Sequence, residues 1–463
     1  MSLVHPMPER VSENGQGQIG PWSPLLDKLL APFDGVLVLR FPDNSSSRFG
    51  RRALEPVGPD FGLSVRDPQA VQSLLLGRDP LRFADAYFQG RIDIEGDLFA
   101  ALALKDQLPA LRLGFGARLR ALLCLLRSKL AGGNTTEAEP APRLAGDTVQ
   151  AHTREENRRA ISFHYDLSND FYRLWLGPTM VYSCAYFEAP DMSLEAAQHA
   201  KLDHICRKLQ LQPGEMFLDI GCGWGALVLH AAQHYGVQAH GITLSQRQFE
   251  LCQQRITTAG LQGQVTVALQ DYRDLRGQAC FDKIASVGMF EHVGLKNLPQ
   301  YFGCVHRLLK PQGYFLNHGI THIEEGWDEQ LSTQFINHYV FPDGQLDTVS
   351  HIQRAMERAH FEIMDVEGLR PHYALTLRHW VHRLDASHGK ALDFVNEATF
   401  RIWRLYMAAS AMEFEAGTLG VYQILSGHRA AGTSSFPASR RYMYPPASAQ
   451  ALATAVLQAA KER

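Results

Sequence analysis

The chain has 463 residues, 45% of them apolar and 20% charged, with a formal charge of −3; it is too long for one core, and it lacks the basic excess of a general nucleic-acid binder. Seven scattered cysteines with no C-x-x-C pair make no disulfide framework, so a reduced cytosol is the expected compartment. No run of about 20 apolar residues could span a bilayer and the first residues lack a signal-peptide core, so any membrane association is expected to be peripheral.

Residues 1–22 are polar, rich in Gly and Pro, and read as a flexible tail. A small α/β region follows over 23–130, with strand-like 35–41 and 63–66 and helical 67–75 and 80–88. Within it, Leu119, Leu122, Leu123, Leu126 and Leu130 share one helical face, flanked by Arg118, Arg120, Arg127 and Lys129. Two readings fit residues 118–130: a helix lying on an anionic lipid surface, or a helix packed on its own domain with solvated cations. Residues 131–150 read as a linker. A second domain over 151–430 has strands expected near 216–220, 237–243, 264–269, 281–287 and 312–318. Helical patterns separate them, which implies a parallel sheet. Beyond Thr321 the pattern is mainly helical to about residue 425, and residues 431–463 read as a C-terminal tail.

Chemistry-bearing residues gather at the expected strand ends. Phe217-Leu-Asp-Ile-Gly-Cys-Gly-Trp-Gly225 is a strand running into a glycine turn, followed by a helical pattern from Ala226. The spacing G-x-G-x-G differs from the dinucleotide fingerprint and suits the amino-acid end of S-adenosylmethionine. The next strand ends at Thr243-Leu-Ser-Gln-Arg-Gln248, without the acid that commonly holds a ribose there. Thr243, Ser245 and Gln248 are left to supply polar contacts, although Thr243 or Ser245 would equally serve as a helix N-cap. Asp271, after the third strand, is placed to read an adenine amine, or is a solvated loop acid. Glu291 and His292 follow the strand 281–287, and His318 ends the next. Open α/β sheets place active sites at that edge. Upstream, residues 161–176 and 182–187 are dense in aromatics and hydroxyls. Such a segment suits a cap over a sulfonium cofactor, or a plain hydrophobic cap.

Taken together, His164-Tyr-Asp-Leu-Ser-Asn-Asp-Phe-Tyr, Tyr182-Ser-Cys-Ala-Tyr-Phe, Leu218-Asp-Ile-Gly-Cys-Gly-Trp-Gly, Gly241-Ile-Thr-Leu-Ser and Met289-Phe-Glu-His-Val-Gly resemble the cyclopropane-fatty-acid-phospholipid synthases, to which the mycolic-acid cyclopropane synthases are related. Ala84 to Leu98 is similar to the small lipid-binding domain of the longer bacterial members. The resemblance implies an α/β fold: a Rossmann-like class I methyltransferase domain with a helical lid, preceded by a small α/β lipid-binding domain. It implies methylene transfer from S-adenosylmethionine to a cis double bond of a phospholipid acyl chain, through a carbocation deprotonated by bound bicarbonate. Carried over residue by residue, the bicarbonate site is Glu291, His318, the backbone of Cys184 and Ile320, and, on a looser match, Tyr373. The cofactor contacts are Tyr165, Tyr182, Ser183, Gly221, Gly223, Thr243, Leu244, Gln248, Asp271 and Tyr272. The resemblance also implies a homodimer at the inner face of the membrane. An apolar tunnel is expected from Phe335, Phe341, Phe394, Phe400 and Trp403, and Ser410 stands where some members carry a cysteine. Two rival chemistries share the same residues: a methylene-branched or methyl-branched product, or methylation of a small polar substrate.

Overall fold

A computed structural model describes residues 33–52, 60–67, 81–107, 152–153, 155–156, 167–325, 345–429 and 436–444, with Leu26 and Leu30. Residues 1–22, 118–130 and 131–150, Tyr165, Phe335 and Phe341 lie outside them. The elements in chain order are β1 (Leu37–Arg40), β2 (Ser46–Phe49), β3 (Phe61–Val65), α1 (Leu81–Phe88), β4 (Ile92–Gly96) and α2 (Leu98–Gln107). There follow α3 (Asn169–Leu176), α4 (Leu194–Lys208), β5 (Met216–Ile220), α5 (Ala226–Tyr235), β6 (Gln238–Thr243), α6 (Gln246–Thr258), β7 (Val265–Leu269) and β8 (Phe281–Val287). Last come α7 (Leu298–Leu308), β9 (Leu309–His322), α8 (Val349–Arg358), β10 (Phe361–Gly368), α9 (Arg370–Ala386), α10 (His388–Ala391), α11 (Glu397–Ala416) and β11 (Leu419–His428).

The chain divides into two compact units. The first joins Met1–Leu144 to His388–Met412, and the second holds Ala145–Ser387 and Glu413–Arg463. The first unit contains a four-stranded sheet of order β2-β1-β3-β4, with Leu37, Leu39, Phe49 and Phe61 in its core. Segment 388–412, which the sequence pattern leaves inside 151–430, belongs to this unit because α11 carries Arg401. That guanidinium is buried and donates to the carbonyls of Tyr87 at 2.8 Å and Ile92 at 3.3 Å. It also pairs with Asp93 at 3.1 Å and Glu397 at 2.8 Å. A buried guanidinium needs such a full set of acceptors, and α1 and β4 supply most of it.

In the second unit seven strands run in the order β10-β11-β9-β8-β5-β6-β7. The five from β5 to β9 are parallel, as expected, and β9 is longer than 312–318. β11 is antiparallel to both β9 and β10, so the sheet is mixed, and two strands occupy a region whose pattern reads as helical. Neighbouring residues send side chains to opposite faces. Phe217, Ala285, Leu316 and Leu425 join one core, while Leu218, Ile284, Phe315 and Ile424 join the other. The expected tunnel residues divide: Phe400 and Trp403 are buried in the first unit, whereas Phe394 is 42% exposed.

Candidate functional site

At the carboxyl ends of β5, β6 and β8 lies a cleft of about 1080 Å³ including its mouth. It sits where the strand order reverses between β5 and β8, the position that open α/β sheets use for ligands. The turn after β5 holds Gly221, Gly223 and Gly225 at φ of +82°, +53° and +82°. At Gly223 an added Cβ would meet nothing within 4 Å, so the loop backbone faces open space. Trp224 anchors this loop, its indole N–H donating to Asn169 Oδ1 at 2.8 Å and its carbonyl accepting from Arg255 at 2.8 Å.

Of the cofactor contacts expected from the sequence, Tyr182, Ser183, Gly221, Gly223, Thr243, Leu244, Gln248, Asp271 and Tyr272 all line this cleft. The two hydroxyls at the end of β6 and the start of α6 separate into two roles. Ser245 is the N-cap of α6, its Oγ accepting from Gln248 N. Thr243, at the cleft wall, donates to Gln248 Oε1 at 2.7 Å. Asp271 caps the turn Tyr272–Asp274, and Arg273 holds both of its oxygens at 2.8 and 2.6 Å. The aromatic segment is a packed wall: Tyr182 meets Trp175 and Trp380 at ring distances of 5.3 and 5.4 Å, and Tyr172 meets Trp224 at 5.1 Å.

Two buried charges in the cleft were not assigned from the motifs. Lys201 on α4 is 2% exposed and donates to Ser183 Oγ at 2.9 Å. Burial pulls its ammonium down to about 8, and burial likewise raises Asp219 to about 7. Asp219 Oδ1 has no partner among the described residues. The signal for Lys201 is its place on the buried face of α4, in step with Leu194, Gln198 and Ile205.

The second group of candidates meets beside this cleft. Glu291 lies in the turn Phe290–His292 directly after β8 and is 7% exposed. Its Oε1 accepts the Ile320 N–H at 2.8 Å, while Oε2 has no partner among the described residues. His318, two residues earlier on β9, is 2% exposed, and its Nε2 is likewise unpartnered. Burial raises the Glu291 carboxyl and depresses His318 well below its ordinary range, so each is biased towards its neutral form. Ile320 is paired with Val421 across β9 and β11, and the Val421 carbonyl accepts from Leu369 N at 2.8 Å. The Leu369 carbonyl in turn accepts from Tyr373 N at 3.2 Å and Cys184 Sγ at 3.7 Å. Glu291, His318, Ile320, Cys184 and Tyr373 thus occupy one neighbourhood although 189 positions separate the first and last in sequence (373 − 184). Glu413 and Glu415, which have no evident role from sequence, bind Thr418 and Arg378.

The strand order, the antiparallel β11 and the glycine turn define a class I S-adenosylmethionine-dependent methyltransferase. The chain belongs, further, to the mycolic acid cyclopropane synthetase family, whose model matches residues 152–424. A "Probable fatty acid methyltransferase" of Pseudomonas putida is 40% identical over 83% of this chain and 92% of its own length. The cyclopropane-fatty-acyl-phospholipid synthase of Escherichia coli K12 is 44% identical over 57% of this chain and 66% of its own. The crystal structure of mycolic acid cyclopropane synthase CmaA1 complexed with SAH and CTAB superposes with a TM-score of 0.55 at 36% identity. It covers 58% of this chain and 97% of CmaA1.

Proposed function

We propose that this enzyme transfers a methylene group from S-adenosylmethionine to the cis double bond of an unsaturated acyl chain of a membrane phospholipid, giving a cyclopropane fatty acid. The observation that carries this reading is the pair of buried atoms Glu291 Oε2 and His318 Nε2 beside the cofactor cleft, neither of which has a partner among the described residues. A carbocation needs a base shielded from water, and such a pair can hold one. The donors fit a small oxyanion: a neutral Glu291 carboxyl and a neutral imidazole can each donate without repelling it. Bicarbonate would be held there by Glu291, His318 and Tyr373 with the backbone of Cys184 and Ile320. When bound, it would supply the base for ring closure.

S-adenosylmethionine would be held by Gly221, Gly223, Tyr182, Ser183, Thr243, Leu244, Gln248, Asp271 and Tyr272, with Tyr165 as a further contact. The alkene electron pair forms a bond to the sulfonium methyl carbon, the C–S bond breaks, and S-adenosylhomocysteine leaves. The cation left on the neighbouring carbon closes the ring as the new methyl carbon loses a proton and its C–H electrons form the third C–C bond. Tyr182 lines the cleft and can present its ring to positive charge, and Tyr172, Trp175 and Trp380 pack behind it. In this reading the amino-terminal region binds lipid, and the enzyme works as a homodimer, cytoplasmic and peripheral to the inner face of the membrane. No helix among the described residues is long and apolar enough to cross a membrane.

A second reading is favoured by the Pseudomonas putida relative, a probable fatty acid methyltransferase: a hydride shift that moves the cation onto the methyl-bearing carbon, followed by loss of a methyl proton, would give a methylene-branched fatty acid. Vesicles of cis-monounsaturated phospholipid with methyl-deuterated S-adenosylmethionine separate the two. A product that keeps two of the three deuteriums and resists mild hydrogenation supports cyclopropane synthesis. The same label in a chain that hydrogenates supports branching, and unlabelled lipid refutes both.

A further inference from the structure

Three polar side chains stand in register across the sheet. Glu367 on β10 is paired with Gln423 on β11, and Gln423 with His318 on β9. Directly opposed residues of antiparallel strands share one face, so the three form a row. Gln423 is fully buried, and its Nε2 lies 3.2 Å from His318 Nδ1. An amide N–H donated to Nδ1 makes that nitrogen the acceptor and leaves the ring proton on Nε2. Nε2 is the buried atom that meets no partner among the described residues.

The far end of the row is charged. Against the burial that would raise it, the hydrogen bond from His204 at 2.7 Å and the charge of Lys208 hold Glu367 down to about 2. Gln423 therefore places a neutral amide between a carboxylate and the imidazole. On the other side, burial together with Lys201, Lys208 and His204 keeps the ring uncharged, outweighing Glu367.

From this geometry we infer that Gln423 is a positioning residue for His318. It holds the ring as the Nε2–H tautomer and presents that N–H to the buried anion. The inference rests on the anion site proposed above, but the tautomer it specifies is a property of the ligand-free protein. A neutral donor orients the anion without neutralising it, so the anion keeps the basicity that ring closure needs. An imidazolium in the same place would bind the anion more tightly and weaken it as a base. A carboxylate at position 423 would draw the proton to Nδ1 and deny the anion its neutral donor.

The test uses full-length protein labelled with 15N-histidine. Long-range 1H–15N correlation spectra report the tautomer, with the His318 signals identified by their loss in His318→Gln. The expected result for the unmodified protein is a protonated Nε2 and an acceptor-type Nδ1. Gln423→Glu is expected to move protonation onto Nδ1. It should also raise the half-saturating bicarbonate concentration about tenfold, the loss of one hydrogen bond to a charged group, with S-adenosylmethionine affinity unchanged. A proton on Nδ1 in the unmodified protein overturns the inference whether or not any variant folds. So do unaltered ring signals in Gln423→Glu alongside bicarbonate-dependent turnover, which leaves the anion site standing. Turnover of the unmodified enzyme that is indifferent to bicarbonate removes the anion site itself, whatever the tautomer.

Discussion

Replacing Glu291 by Leu and by Gln separates what its two oxygens do. Oε1 accepts the Ile320 N–H at 2.8 Å, and Oε2, without a partner among the described residues, is the atom the proposed anion would meet. Leucine removes both. It leaves a buried backbone N–H unpaired, which costs about 1–3 kcal/mol of stability, and it deletes a hydrogen bond to a charged ligand worth about 1.5–3 kcal/mol. At 1.4 kcal/mol per factor of ten, the second loss alone lowers turnover at limiting bicarbonate by about 10- to 100-fold. Glutamine can keep the acceptor for Ile320 and still offer a donor, so it mimics the neutral carboxyl that burial favours. It is expected to retain clearly more activity than Leu. Because Glu291 does not line the cofactor cleft, S-adenosylmethionine affinity should be unchanged in both variants. The assay is turnover on phospholipid vesicles across a bicarbonate titration, with calorimetric cofactor binding as the control. Leu at full turnover would refute the anion site. Gln as damaging as Leu would refute a neutral Glu291.

Two more outcomes follow from close contacts and buried rings. Gly319 lies between His318 and Ile320, and an added Cβ would stand 2.0 Å from Phe290 Cε1 and 3.0 Å from Glu291 Oε1. Gly319→Ala is therefore expected to displace the Glu291 turn and to lower both thermal stability and turnover; unchanged values of both would show that the turn yields freely. Burial lowers His230, His240, His306, His318, His372, His379 and His428 in the folded state. Below the unfolded value near 6.5 the unfolded chain takes up protons at these seven rings that the folded chain does not, which outweighs the opposite pull of the two raised carboxyls Asp219 and Glu291, so stability is expected to fall as pH falls from about 7 to 5. Urea denaturation at several pH values checks this, and a midpoint that holds steady or rises on acidification would contradict it.

What the sequence shows plainly is whatever a few consecutive residues decide. The glycine turn, the strands β5 to β8 and the nine expected cofactor residues that line the cleft all sit on local motifs. A hydroxyl ahead of a helix is ambiguous for a physical reason: capping and ligand binding use the same atom, and only the fold assigns Ser245 to the cap and Thr243 to the cleft wall. The strands β10 and β11 are hidden because polar residues interrupt their inward positions: Asp365 and Glu367 on β10, and Gln423 and Ser426 among the apolar residues of β11. Asp365 and Glu367 on β10 would be costly there alone, and they are tolerated because Lys208, His204 and Arg440, all remote in sequence, pair with them. The same holds for Arg401, whose partners other than Glu397 lie more than 300 positions away. Local periodicity therefore fails where polar groups are buried against distant partners. The row Glu367–Gln423–His318 shows why those places matter most: a buried amide between a carboxylate and an imidazole adds nothing to an apolar core. Its place there is explained by the proton it keeps on His318 Nε2, which is where sheet register becomes chemistry.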